Sequence, residues 1–166
     1  MTKSAMESVS VLFVCLGNIC RSPSSEGVFL NRLEFADLPI DVRVDSAGTG
    51  SYHIGQPPDH RAILAASERG VDISWCRARQ VVNEDFEKFD YIIAMDRYNY
   101  RDLTRMAPSA FSGQLCLLMD FAANSNESEV PDPYYGSDGG FERVLDMLED
   151  ACSGLIDDIR LRCSRQ

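Results

Sequence analysis

The apolar run Val9-Ser10-Val11-Leu12-Phe13-Val14 passes directly into Cys15-Leu16-Gly17-Asn18-Ile19-Cys20-Arg21-Ser22-Pro23, and this junction constrains the fold more than any other part of the chain. The run is too short to span a bilayer and alternates too little for a half-exposed strand, which leaves a buried strand of a parallel sheet. Pro23 suits the first helical position, where a missing N–H costs nothing, and Ser22 before it can cap the freed amides. A helix is therefore predicted to begin right after Arg21. Backbone N–H groups and the positive helix end would then favour an anion at the centre of the intervening loop.

Cys15 ends the strand inside that loop, which makes it a candidate nucleophile. Arg21 adds a permanent cation whose planar fork matches two oxygens of a phosphate. Gly17 lets backbone approach a ligand closely, Asn18 tolerates the left-handed conformation that a nest of inward-pointing amides needs, and the Ser22 hydroxyl can donate to a thiolate. Taken alone, a cysteine at the end of a buried strand is more often inert core. The full string is what turns the reading toward a catalytic anion loop. It lacks the Gly-Lys-Ser/Thr of a nucleotide loop, and Cys15 and Cys20 lack the two-residue spacing of zinc or thioredoxin-like pairs.

Along the chain, strand and helix patterns alternate: strands at 9–14, 41–46, 90–94 and 115–118, helices at 23–35, 58–69, 97–106 and 139–161. That order predicts an α/β three-layer sandwich around a central four-stranded parallel sheet. Open sheets of this kind bind ligands outside the carboxyl ends of their strands, where Cys15 falls. With 166 residues, 45% hydrophobic composition and a net charge of -10, the chain can build its own core and is a poor partner for nucleic acid. Attraction for an anion has to be local, from the loop amides, Arg21 and candidate neighbours Arg61 or Arg77. Six cysteines raise the idea of a secreted disulfide framework, but no signal-peptide pattern opens the chain, so a reducing cytoplasm is expected.

The Cys-x5-Arg-Ser form of Cys15 to Ser22 resembles the signature of the low-molecular-weight protein tyrosine phosphatases. Val130-Pro131-Asp132-Pro133-Tyr134-Tyr135-Gly136 resembles that family's aspartate loop, and Asp45-Ser46-Ala47-Gly48-Thr49 and Ala94-Met95-Asp96-Arg97 resemble two further stretches of it. The resemblance covers most of residues 9–162. It implies a flavodoxin-like, phosphotyrosine phosphatase I-like fold, one domain over 1–166, and a flexible N-terminus at 1–8.

The same resemblance assigns roles. Cys15 is the nucleophile, Arg21 the phosphate clamp and Asp132 the general acid, which must carry a proton to protonate a departing phenol and so implies an acidic pH optimum. Leu16, Gly17, Asn18, Ile19, Cys20 and Ser22 form the phosphate-binding loop. Tyr52, Tyr134 and Tyr135 wall a pocket for an aromatic ring, on a rim shared by loops 47–57 and 119–138, and Ser46 and Asp96 support the site. No cofactor or metal is implied. The expected partners are phosphotyrosine-containing proteins and inorganic phosphate as product and inhibitor, with neither nucleic acid nor membrane, and the chain is expected to be a monomer or weak dimer. The Cys15 and Cys20 pair resembles a reversible disulfide that shields the nucleophile.

Three departures or branch markers stand out. Ile19 resembles the tyrosine-directed branch, whereas relatives acting on phosphoarginine carry threonine there. Tyr52 stands where a tryptophan is frequent. Cys76 stands where many relatives have a histidine in a hydrogen-bond network behind the loop asparagine, so either Asn18 is loosened or another group fills the role. The rival classes are a thiol-based arsenate reductase, which needs a further cysteine relay that no closely spaced downstream pair supplies, and a phosphate-binding module, which would keep Arg21 and the loop amides but would not need both Cys15 and Asp132.

Overall fold

A computed structural model of the chain describes residues 8–136 and 139–164. The flexible N-terminus expected at 1–8 lies outside the described residues, except that Ser8 already begins the first strand. Four parallel strands, β1 (Ser8–Cys15), β2 (Asp41–Gly48), β3 (Tyr91–Ala94) and β4 (Gln114–Leu117), form a sheet in the order β2-β1-β3-β4. The helices are α1 (Arg21–Leu33), α2 (His60–Glu68), α3 (Asp85–Lys88), α4 (Arg97–Met106) and α5 (Gly139–Ser164). The expected three-layer α/β architecture is present.

The reason β1 reads as continuously apolar is now visible. It pairs with β2 on one side and β3 on the other, with Val11 opposite Val44 and Tyr91. Its alternate residues serve opposite faces: Val9, Val11, Phe13 and Cys15 pack with Phe29 of α1 and Leu148 and Leu155 of α5, while Leu12 and Val14 pack with Phe86 of α3 and Leu103 of α4. Phe13 and Phe29 meet edge to face with ring centroids 5.5 Å apart. Chain order reverses across β1, so its carboxyl end opens into the crevice where such sheets take ligands.

Differences from the expected elements are local. The first helix starts at Arg21, two residues early, with Cys20 as a cap that makes no side-chain bond. Pro23 is therefore its third residue, still in the turn whose N–H groups have no helical partner, and Ser22 is not a cap because its hydroxyl is engaged elsewhere. A short α3 falls between the expected helix 58–69 and strand 90–94, and a 3-10 turn at Leu118–Phe121 takes the last residue of the expected strand 115–118, which ends at Leu117, together with the start of the expected loop.

The turn at Leu118–Phe121 packs directly on α5 at Gly154, where an added Cβ would lie 1.8 Å from the Phe121 carbonyl oxygen. An alanine at a solvent-facing helical glycine gains about 1 kcal/mol. Here Gly154→Ala is expected to lose about 1–3 kcal/mol through overpacking, read as a lower midpoint in urea denaturation. A raised midpoint would show that helix and turn separate freely.

Candidate functional site

At the carboxyl end of β1 the chain turns through residues 16–20 into α1, and Asn18 adopts φ 57° to make that turn. The backbone N–H of Asn18 donates to the Cys15 Sγ at 3.3 Å, and the Ser22 Oγ lies 3.1 Å from the same sulfur. Asn18 Nδ2 donates to the Ser22 Oγ at 2.7 Å and to the Ser46 Oγ at 3.0 Å. Because Ser22 accepts there, its single proton is left for Cys15 or for the Ala47 carbonyl at 3.3 Å. Asn18 Oδ1 accepts from the Arg79 N–H at 3.0 Å. Every polar atom of the asparagine side chain has a partner, so Cys76 has not loosened it.

The group that completes the network is Glu26. Its Oε1 accepts from the Ser46 Oγ at 2.8 Å, while the Cys76 Sγ lies 3.8 Å away. Glu26 is buried, one helical turn beyond Ser22 on α1, and this i, i+4 spacing is the sequence signal that could have revealed it. Burial pushes its carboxyl up to about 7, opposed by the Ser46 hydrogen bond and reinforced by the nearby Asp45 charge. Burial likewise pushes the Cys76 thiol up to about 12, helped by Glu26, so no cation replaces the expected imidazole.

Arg21, only 3% exposed, points back across the loop. Its Nη1 donates to Asp96 Oδ2 at 2.6 Å and to the Val130 carbonyl at 3.1 Å, and its Nη2 lies 3.5 Å from Asp132 Oδ2. Burial opposes the guanidinium charge, but Cys15, Asp96 and Asp132 outweigh it and raise its basicity. Asp96 also caps α4 through the Asn99 N–H, so a helix terminus fixes the carboxylate that aims the arginine. Asp132 sits in the exposed loop after Val130 and accepts from the Tyr134 N–H at 3.0 Å. Cys20 shares the loop with Cys15, but burial first, then the Asp59 charge, holds its thiol well above the ordinary range.

These groups open on a cavity of about 400 Å³ lined by Cys15, Leu16, Gly17, Ile19, Cys20, Arg21, Tyr52, Asp132, Tyr134, Tyr135 and one residue the sequence did not single out, His53. Tyr52 and His53 of the loop at 47–57 thus share a rim with Asp132, Tyr134 and Tyr135 of the loop after Val130, while residues 137–138 of the expected loop 119–138 lie outside the described residues. Asn18, Ser22, Ser46 and Asp96 stand behind the lining, holding it. Arg61 and Arg77 do not line the cavity: Arg61 is paired with Asp59 at 3.0 Å and donates to the Tyr134 carbonyl, and Arg77 donates to the Ser74 and Cys76 carbonyls. Gly17 makes room for His53 rather than only for a ligand, since an added Cβ would stand 3.0 Å from the imidazole Cδ2. Among the described residues no group of three or more His, Cys, Asp or Glu could hold a metal, and no helix is long and apolar enough to cross a membrane.

The raised Glu26 carboxyl has a consequence for stability. The folded chain keeps a proton that the unfolded chain releases near pH 4.5, so the contribution is full below that pH and is lost as pH rises to about 7. Glu26→Gln removes this loss. The variant is expected to gain on the parent as pH rises from 4.5 to 8, by at most about 3 kcal/mol, in denaturant midpoints. Parallel profiles would show that Glu26 is ionised throughout.

The model of the low molecular weight phosphotyrosine protein phosphatase family matches residues 10–164. A putative low molecular weight protein-tyrosine-phosphatase of Synechocystis is 44% identical over 89% of this chain and 94% of its own, and the human low molecular weight phosphotyrosine protein phosphatase is 40% identical over the same shares. Among solved structures, a protein tyrosine phosphatase from Entamoeba histolytica with Hepes in its active site superposes with a TM-score of 0.88 at 44% identity, covering 95% of this chain and 99% of that one. Bacillus subtilis YfkJ gives 0.87 at 39%, covering 95% and 98%. With a thiol, an arginine and an aspartate gathered at the end of β1, and with these likenesses over nearly its whole length, the chain belongs to the low molecular weight phosphotyrosine protein phosphatase family.

Proposed function

We propose that the chain hydrolyses phosphotyrosine in proteins, and small aryl phosphates, through a phosphocysteine on Cys15. The observation that supports this most is the convergence of Cys15, Arg21 and Asp132 on one cavity, with the Arg21 Nη2 3.5 Å from Asp132. In the first step the Cys15 sulfur attacks phosphorus in line, forming a P–S bond as the P–O bond to the aryl group breaks. Asp132 gives its proton to the departing phenolate oxygen. In the second step Asp132, now a carboxylate, takes a proton from water as the water oxygen attacks phosphorus, and the P–S bond breaks to return the thiolate and release inorganic phosphate.

The protein's contribution is mostly electrostatic. The loop amides and Arg21 are set in place before substrate arrives and hold the equatorial oxygens through the transition state. A phosphoryl group entering this cavity competes with Asp132 for Arg21 and brings its own negative charge beside the aspartate, which favours the protonated acid. The Ser22 hydroxyl, 3.1 Å from the sulfur, stabilises the thiolate when it is the leaving group of the second step. Nothing in this sequence of steps calls for a metal or cofactor. A cytoplasmic setting fits six free cysteines, and the pair Cys15 and Cys20 lining one cavity fits reversible oxidation of the nucleophile.

The test is phosphate release from matched phosphotyrosine, phosphoserine and phosphoarginine peptides, with Cys15→Ser alongside. Release is expected from phosphotyrosine alone, and Cys15→Ser is expected to abolish it while still binding phosphate. Asp132→Ala is expected to slow hydrolysis about 10²-fold or more for poorly departing phenols and much less for good ones. Equal losses on both would refute the acid role of Asp132. Phosphate binding without turnover by the parent chain would instead support a binding module.

A further inference from the structure

Asp132 has to reach the reacting atoms from a segment that is neither strand nor helix. That segment starts on firm ground: the Val130 N–H donates to the Met95 carbonyl at 2.8 Å, and the Val130 carbonyl accepts from Arg21. Beyond it, Oδ1 of the Asp132 carboxylate accepts from the Tyr134 N–H at 3.0 Å, and Oδ2 lies 3.5 Å from Arg21 Nη2. A phosphoryl group that takes Arg21 competes for the second contact. The Tyr134 N–H is then left to keep the acid in place.

What holds Tyr134 is Arg61. Its Nη2 donates to the Tyr134 carbonyl at 3.1 Å, and its guanidinium carbon lies 5.5 Å from the Tyr134 ring centroid and 4.9 Å from that of the buried Phe141 on α5. The guanidinium is itself fixed, because Nε and Nη2 donate to the two oxygens of Asp59 at 3.1 and 3.0 Å. The Asp59 N–H in turn donates to the Ile19 carbonyl of the phosphate loop at 2.8 Å. A chain of polar contacts therefore runs from Ile19 through Asp59, Arg61 and Tyr134 to the Asp132 carboxylate. A lysine ammonium, compact and strongly hydrated, offers neither a flat face to the two rings nor a fork to Asp59.

From this chain of contacts, and resting on the phosphatase reading above, we infer that Arg61 is a positioning residue for the general acid: clamped by Asp59 to the phosphate loop, it holds the Tyr134 end of the acid segment so that Asp132 keeps its place while substrate occupies Arg21. Asp59 neutralises the Arg61 charge, so its part in the reaction is geometric and not the capture of an anion. The bond from Tyr134 to Oδ1 also leaves Oδ2, on the Arg21 side, as the oxygen that carries the proton. Such placement weighs heavily in catalysis, since displacing a reacting group by about 1 Å costs on the order of 10²-fold in rate.

The test compares Arg61→Ala and Arg61→Lys, each alone and combined with Asp132→Ala, on aryl phosphates with good and poor leaving groups. Phosphate binding is measured for each in the Cys15→Ser background. Both variants keep the backbone N–H that bonds Asp59 at the start of α2, and Arg61→Lys carries the comparison should Arg61→Ala fail to fold. Arg61→Ala is expected to slow hydrolysis of poorly departing phenols about tenfold, less than loss of the acid itself, with a smaller effect on good ones. Arg61→Lys is expected to slow the same substrates at least about threefold, the size of a lost hydrogen bond. In the Asp132→Ala background neither substitution is expected to change the rate more than about twofold, because the group they act through is gone. Phosphate binding is expected to stay within a similar margin. Equal losses with and without Asp132 would mean that Arg61 acts on something other than the acid, parent rates for Arg61→Lys would mean that charge alone suffices, and weakened phosphate binding would mean that Arg61 props the phosphate loop at Ile19. Each of these overturns the inference and leaves the phosphatase reading intact. If Asp132→Ala by itself slows good and poor leaving groups equally, the acid role falls and the role of Arg61 falls with it.

Discussion

The site depends on one residue being held in a conformation it does not prefer. Asn18 sits at φ 57°, which costs an ordinary L-residue about 1–2 kcal/mol. Its side chain gives two hydrogen bonds, to Ser22 and Ser46, and accepts a third from the Arg79 N–H, each contributing about 0.5–1.5 kcal/mol. The sum covers the strain, and the left-handed turn in exchange aims the Asn18 N–H at the Cys15 sulfur. Remove the side-chain partners and the nest that receives an anion loses its shape before any catalytic group is touched.

Charge is arranged on the same principle of prior commitment. The chain carries a net charge of -10, so an anionic substrate is not drawn in from a distance but captured locally. Among the described residues, the one guanidinium that lines the cavity is buried and aimed by Asp96 from the start of α4. Breaking such a buried pair is costly, about 3–5 kcal/mol when one partner is removed, so Arg21 has little freedom to leave. Arg61 is a counterexample: a cation near the mouth whose charge Asp59 consumes. Position relative to the cavity, rather than charge count, decides which arginine matters.

Much of this was legible in the amino-acid order. The apolar β1, the loop after it and the alternation of strands and helices fixed a parallel sandwich with Cys15 at the ligand-binding end, because those signals are local and periodic. Ser22 was misread as a cap, since a hydroxyl at a helix start has two competing uses and only the tertiary position of Cys15 and Asn18 decides between them. The four-residue α3 and the 3-10 turn arise from packing rather than periodicity. Glu26 was legible in principle, one turn from Ser22 on the same helix face. His53 was not, because its place at the cavity depends on contact with Gly17, distant in sequence and adjacent only in the fold.

The account turns on a phosphoryl group passing through the sulfur of Cys15. Rapid quenching during turnover of an aryl phosphate, followed by phosphorus NMR and mapping of the modified peptide, examines that directly. A phosphorus signal characteristic of a P–S bond, located on the peptide that carries Cys15, is the predicted result. Phosphate release at full rate with no covalent species on the protein, or with the label on any other residue, would contradict it.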